Sequence, residues 1–144
     1  MHFRSGGLIY YTAGALDGAE RYEDAAERER LAATVDLLTP VVKAWSTDIG
    51  AGVASMGIQV HGGAGFIEET GAAQHYRDSR IAPIYEGTNG IQASDLLRRK
   101  LMRDEGGAAR ALIAEMAALA EPLSRANHAD QIGRAHACTP LTSS

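Results

Sequence analysis

The chain has 144 residues, 45% hydrophobic and 22% charged, with a net charge of −4 and an isoelectric point near 5.7. That balance suits one compact domain with an apolar core, and its acidity excludes a phosphate-backbone binder, which needs clustered Lys and Arg. No run approaches the ~20 apolar residues that span a bilayer, and the single cysteine, Cys138, excludes a disulfide framework or a thiolate zinc site and suits a reducing, cytoplasmic setting.

Taken from the start, residues 7–16 form an apolar run after one arginine that loosely imitates a signal peptide, but its two tyrosines and its acidic continuation favour a helix. Leu8, Tyr11, Ala15 and Leu16 recur at helical spacing, which predicts a first amphipathic helix over about 7–19. Residues 24–38 combine Glu and Arg three and four apart with Leu31, Val35 and Leu38, the pattern of a helix packed on one side. Pro40 either opens a new helix, where its missing N–H costs nothing, or kinks one long helix. Beyond it, Val41, Val42, Trp45, Ile49, Val53 and Met56 continue the spacing, and Gly50, Ala51, Gly52 and Ala54 let another helix approach, which predicts a buried central helix.

The glycines of residues 57–65 predict a chain-reversing loop, a plain helix end whose exposed N–H groups also permit an anion nearby. It is neither a P-loop, lacking the Gly-Lys-Ser/Thr ending, nor a dinucleotide fingerprint, lacking a preceding strand. A further helix is expected over about 70–80, broken before Pro83, and another from Thr88 to about Arg103. The cluster Arg98-Arg99-Lys100 reads as a solvated helix face. An alanine-rich helix over about 108–126 is expected to be interrupted or to end near Pro122. With no period-2 segment, the fold class is all-α, an up-and-down helical bundle. Residues 131–144 have no helical period and resemble translated sequencing-adapter read-through more than a protein terminus; a native tail is the alternative.

Glu86 sits just before a helix whose expected N-cap is Thr88, where free N–H groups and the positive dipole end favour an anion. On the residues alone it reads as a structural helix-start carboxylate, although apolar Ile84 and Tyr85 beside it would favour a base by desolvation. Arg77 and Arg80 could hold an anionic substrate, but the neighbouring Asp78 suggests structural ion pairing. His61 and His75 lack partners at metal-site spacing, so no metal is assigned.

In order, Gln59-Val60-His61-Gly62-Gly63, Tyr76-Arg77-Asp78-Ser79-Arg80-Ile81 and Ile84-Tyr85-Glu86-Gly87-Thr88-Asn89-Gly90-Ile91-Gln92 resemble the C-terminal signature of acyl-CoA dehydrogenases. The resemblance covers about 8–102 and implies that the chain supplies the C-terminal helical bundle of an enzyme whose N-terminal helical and middle β-domains lie outside it, so that the chain alone is inactive. It implies α,β-dehydrogenation of an acyl-CoA to a trans-2-enoyl-CoA with FAD as hydride acceptor. Glu86 then matches the base, its N–H a donor to the thioester oxygen, and Gly87 lies against substrate. Thr88, Asn89, Gly90 and Gln92 match FAD contacts, and Gln59, Val60, His61, Gly62 and Gly63 a loop reaching the FAD of a neighbouring subunit. A homo-oligomer, dimer or tetramer, and electron-transfer flavoprotein as acceptor are thereby implied; a non-catalytic oligomerisation module or an oxygen-using oxidase-like relative are the alternatives. The segments 38–44 and 100–104 further resemble a longer subgroup that includes 3-methylthiopropionyl-CoA dehydrogenase-like enzymes. The expected division is a bundle at 1–104, the start of an extra helical region at 105–130, and the tail at 131–144.

Overall fold

The computed structural model describes residues 2–125; Cys138 and the tail expected at 131–144 lie outside them. Every regular element among the described residues is helical, and none is long and apolar enough to cross a membrane. The chain divides into two compact units, Met1–Ala108 and Ala109–Ser144.

The first unit is organised around one long helix. Helix α1 (His2–Arg21) joins helix α2 (Ala25–Val60) through a link too short for anything but an antiparallel hairpin. Asp24 caps α2, its carboxylate accepting from the Ala26 N–H at 3.0 Å. Leu31, Thr34 and Leu38 of α2 and Ala15 of α1 are buried, a helical stripe meeting a small residue on its partner. Where the sequence left Pro40 as a break or a kink, α2 runs through it without ending. Pro40 is fully buried, and its missing N–H frees one ladder acceptor, the Asp36 carbonyl; the apolar contact around the ring offsets that single loss.

Helix α2 also outlasts the expected stop at Gly57, so Gln59 and Val60 are helical, and the chain reverses at His61 and Gly62, the latter at φ +60°. A short helix α3 (Gly63–Phe66) follows, then a 3-10 turn at Glu68–Thr70 and helix α4 (Ala72–Ser79), shorter than the 70–80 expected. Gly65 is buried against α2, where a Cβ would lie 2.3 Å from the Ile58 carbonyl oxygen, so no larger residue allows α3 this close. Helix α5 (Asn89–Asp95) passes directly into a π-helical stretch at Leu96–Leu101, not the single regular helix expected.

This last segment runs antiparallel to α2, since Asn89 meets residues 44–48 while Lys100 and Arg103 reach back to Asp36. The up-and-down arrangement is therefore built by α1 and α5 each pairing with α2. The solvated face expected at 98–100 is corrected at Lys100, whose side chain is only 12% exposed and pairs with Asp36. The Lys100 ammonium, with Arg103 beyond it, holds the Asp36 carboxyl below the usual aspartate range. The wide turn is closed by Met102 N–H donating to the Leu97 carbonyl, five residues back, and Lys100 and Arg103, three apart, share the one carboxylate.

Helix α6 (Gly107–Arg125) continues through Pro122, contrary to the expected stop there. Asp104 meets its start, the carboxylate accepting from the Ala108 N–H at 2.7 Å and, just before the helix, from the Gly106 N–H at 3.0 Å. Those bonds, Ala108 foremost, lower its proton affinity.

Candidate active site

The segment between Pro83 and Asn89 is one of two places in the first unit where a glutamate and a glycine are left-handed in succession, the other being Glu105-Gly106. Glu86 takes φ +54° and Gly87 φ +88°, two successive left-handed residues. Glycine adopts that region freely, whereas a glutamate there costs on the order of 1 kcal/mol and persists only where neighbours hold it. A Cβ on Gly87 would also lie 2.9 Å from Gln92 Nε2, so the turn closes tightly on the first turn of α5.

Several contacts over-determine this turn. Thr88 is the N-cap that its residue type suggested, its hydroxyl accepting from the Ile91 N–H at 3.2 Å. Gln92 Nε2 donates to the Glu86 carbonyl at 3.3 Å, and the Asn89 N–H to the Pro83 carbonyl at 3.1 Å. The strongest contacts come from α2. Lys43 Nζ donates to the Gly87 carbonyl at 2.6 Å and to Asn89 Oδ1 at 3.0 Å. Asn89 Nδ2 in turn donates to Asp48 at 2.8 Å and to the Ala44 carbonyl and Thr47 hydroxyl at 3.1 Å each.

Lys43, Thr47 and Asp48 were not singled out in the sequence. Their only signal was polarity in a helix otherwise patterned as buried and apolar, with Lys43 and Thr47 four apart and hence on one face. The same contacts redefine Asn89, expected as a cofactor residue: its side-chain amide is engaged on both atoms by α2.

The clamp leaves one group of donors open. Among the described residues, the N–H groups of Glu86, Gly87 and Thr88 make no hydrogen bond. The Glu86 side chain is exposed, and Ile84 and Tyr85 are about half exposed, so the apolar flank anticipated from the sequence does not desolvate the carboxylate within this chain.

The other expected contact segment lies at the C-terminal end of α2. Val60 is 85% exposed, and Phe66 just after the turn 81%. His61 Nδ1 lies 2.8 Å from the Gly57 carbonyl, which selects the tautomer that donates there. His61 and His75 line an open cleft of about 270 Å³ with Ala54, Gly57, Thr70 and Ala72. Arg77 does not pair with Asp78. It meets Glu68 at 3.3 Å and donates to Gln74 Oε1 at 2.6 Å, while Gln74 Nε2 donates to Asp78 at 2.6 Å, so this segment ties α4 to the preceding 3-10 turn.

Gly63 and Gly90 leave open the space a Cβ would fill: nothing lies within 4 Å at Gly63, and only Thr88 Oγ1, at 3.8 Å, at Gly90. Thr88 and Gly90, both exposed, therefore present an accessible backbone beside the Glu86 turn.

Residues 15–101 match the family described as acyl-CoA dehydrogenase, C-terminal domain. Among known proteins, the chain is 50% identical over 124 residues to 3-methylmercaptopropionyl-CoA dehydrogenase of Ruegeria pomeroyi, covering 86% of this chain and 21% of that protein. It is 37% identical over 100 residues to a broad-specificity linear acyl-CoA dehydrogenase of Mycobacterium tuberculosis, covering 69% and 16% respectively. It is 33% identical over 109 residues to a butyryl-CoA dehydrogenase of Syntrophomonas wolfei, covering 76% and 18%. The chain thus spans about a fifth of the length of these relatives. By the match over residues 15–101, the chain belongs to the acyl-CoA dehydrogenase family, as its C-terminal helical domain.

Proposed function

We propose that the full-length protein carrying this chain is an FAD-dependent acyl-CoA dehydrogenase in which Glu86 is the proton-abstracting base. The observation that carries this reading is the Glu86 turn itself: a glutamate at φ +54°, held from α2, with its own N–H unengaged and its carboxylate exposed. Strain of this kind, kept by surrounding contacts, supports a functional role.

In that role one residue supplies two groups. Its N–H donates to the thioester carbonyl oxygen of an acyl-CoA, and the polarised carbonyl acidifies the α-carbon. Its carboxylate takes the α-proton, the α C–H electron pair becomes the new double bond, and the product is a trans-2-enoyl-CoA. Bound FAD would accept the hydride leaving the β-carbon. Gly87, beside the carboxylate, is the proposed substrate contact, its missing side chain letting the turn close on Gln92.

The open backbone at Gly63 and Gly90 fits a large cofactor lying against the domain. Thr88, Gly90 and Gln92 are the proposed FAD contacts of this subunit, and Gln59 to Gly63 those toward a neighbouring one; the exposed Val60 and Phe66 at that reversal support a homo-oligomeric assembly. Asn89 contributes by shaping the turn. Glu86, exposed here, needs the remaining four-fifths of the protein to enclose it, which supports the reading that the chain alone does not turn over. Electron-transfer flavoprotein is the proposed acceptor, and oxygen uptake during turnover would instead mark an oxidase.

The test is the Glu86→Gln variant of the full-length protein, mixed anaerobically with acyl-CoA while flavin absorbance is followed. Loss of a positioned general base slows the step by about 10²–10⁴-fold. Flavin bleaching at the parent rate would remove Glu86 from the base role.

A further inference from the structure

The contact that reaches deepest into the Glu86 turn comes from a residue with no role in the reaction as described above. Lys43 precedes Gly87 by 44 positions and lies half-buried on α2, yet its ammonium is 2.6 Å from the Gly87 carbonyl oxygen. We propose that Lys43 is a positioning residue for the reaction, fixing the left-handed Glu86-Gly87 pair so that the Glu86 N–H and carboxylate face the same substrate. The proposal rests on Glu86 being the base.

The geometry singles out this lysine. Two left-handed residues in succession do not sustain themselves, because the turn's N–H groups at 86, 87 and 88 bond to nothing among the described residues. Beside the Asn89 N–H bond to the Pro83 carbonyl and the Thr88 cap, what holds the two residues themselves are their carbonyls. That of Glu86 accepts only the neutral Gln92 amide at 3.3 Å, whereas that of Gly87 accepts a charged donor at 2.6 Å. A charge-assisted bond of that length is the stronger by about twofold.

The ammonium is itself fixed. Its second bond goes to Asn89 Oδ1 at 3.0 Å, and Asn89 passes the interaction on to the Asp48 carboxylate at 2.8 Å. Lysine, amide and aspartate form a chain in which the cation and the anion, five residues apart on α2, are bridged by a side chain from the start of α5. Rotation of the Gly87 peptide would break the first link and leave a half-buried ammonium with one partner fewer. Lys43 touches neither substrate nor carboxylate in this arrangement. Its removal therefore affects the geometry of proton abstraction while leaving acyl-CoA affinity intact.

The experiment uses the full-length holoenzyme. In Lys43→Met, flavin content per subunit and the acyl-CoA concentration giving half-maximal rate are expected to stay at parent values while the maximal rate of flavin reduction falls about 10- to 100-fold. Lys43→Arg, which restores charged donors, is expected to recover to within about threefold of the parent. Should Lys43→Met fail to fold or to hold flavin, Lys43→Gln, which keeps an N–H donor without the charge, is judged by the same criteria. Reduction at the parent rate in Lys43→Met, or equal slowness in the Met and Arg variants, would overturn the positioning role. Glu86→Gln run alongside separates the two failures: parent-like Glu86→Gln sinks the base assignment, whereas a slow Glu86→Gln with a fast Lys43→Met sinks only the role of Lys43.

Discussion

Replacing Asn89 with alanine removes the bridge between the glutamate turn and α2 in one step. The side chain takes the Lys43 ammonium at 3.0 Å and donates to the Asp48 carboxylate at 2.8 Å, with longer bonds to Ala44 and Thr47. Fully buried bonds to charged groups contribute about 1.5–3 kcal/mol each. Asp48 is exposed, which reduces its share to roughly 0.5–1 kcal/mol, and the half-buried Lys43 contact stays near the lower bound of about 1.5 kcal/mol. The Ala44 carbonyl lies inside α2 and adds little once water replaces the amide. Asn89→Ala is therefore expected to destabilise the protein by about 2–3 kcal/mol, lowering the thermal midpoint by roughly 8–15 °C for a unit of this size. Urea titration followed by far-ultraviolet circular dichroism measures it, with an unchanged slope and a lower midpoint. A change below about 0.5 kcal/mol, the range of an ordinary surface substitution, would refute the view that Asn89 anchors the turn.

Three further outcomes follow from the same structure. Lys100 and Arg103 depress the proton affinity of Asp36, so the stability it contributes is fully present above the ordinary aspartate range and is lost as pH falls through its lowered folded value. Because Asp36 is about a third exposed, Asp36→Asn should cost about 1 kcal/mol or less at pH 7, and the gap between parent and variant urea midpoints should close on acidification; a gap that widens would contradict the assigned sign. Gly65→Ala forces a Cβ onto the Ile58 carbonyl and should cost about 1–3 kcal/mol, with a midpoint equal to the parent's showing that α3 does not pack so closely. Asparagine tolerates the left-handed region better than glutamate, so Glu86→Asn should raise stability by about 0.5–1 kcal/mol while abolishing flavin reduction in the full-length protein; a fall in melting temperature would show that the Glu86 backbone carries no strain.

Much of this domain was legible because the relevant physics is local. Helical spacing placed α1 and both halves of α2, the residue type at Thr88 announced a cap, and the glycines of 57–65 marked a chain reversal, since propensity, capping and left-handed tolerance act within a few residues. The ordered segments from Gln59 to Gln92 were enough to point to the family.

What tertiary structure decided lies at greater range. Local rules left Pro40 either opening a new helix or kinking one long helix, and with its ring fully buried the chain takes the one long helix, α2. Lys100 reads as solvated because its partner Asp36 is 64 residues away, and Lys43 reads as an ordinary helix lysine because its acceptors arrive only when α5 folds back along α2. The sharpest case is Glu86. Its sequence neighbours suggested an apolar flank, but the carboxylate is exposed, and what marks it is a backbone angle of +54° in a turn held by side chains of α2. Nothing in the sequence alone specifies that angle, because a glutamate holds it only where contacts from a distant helix offset the strain.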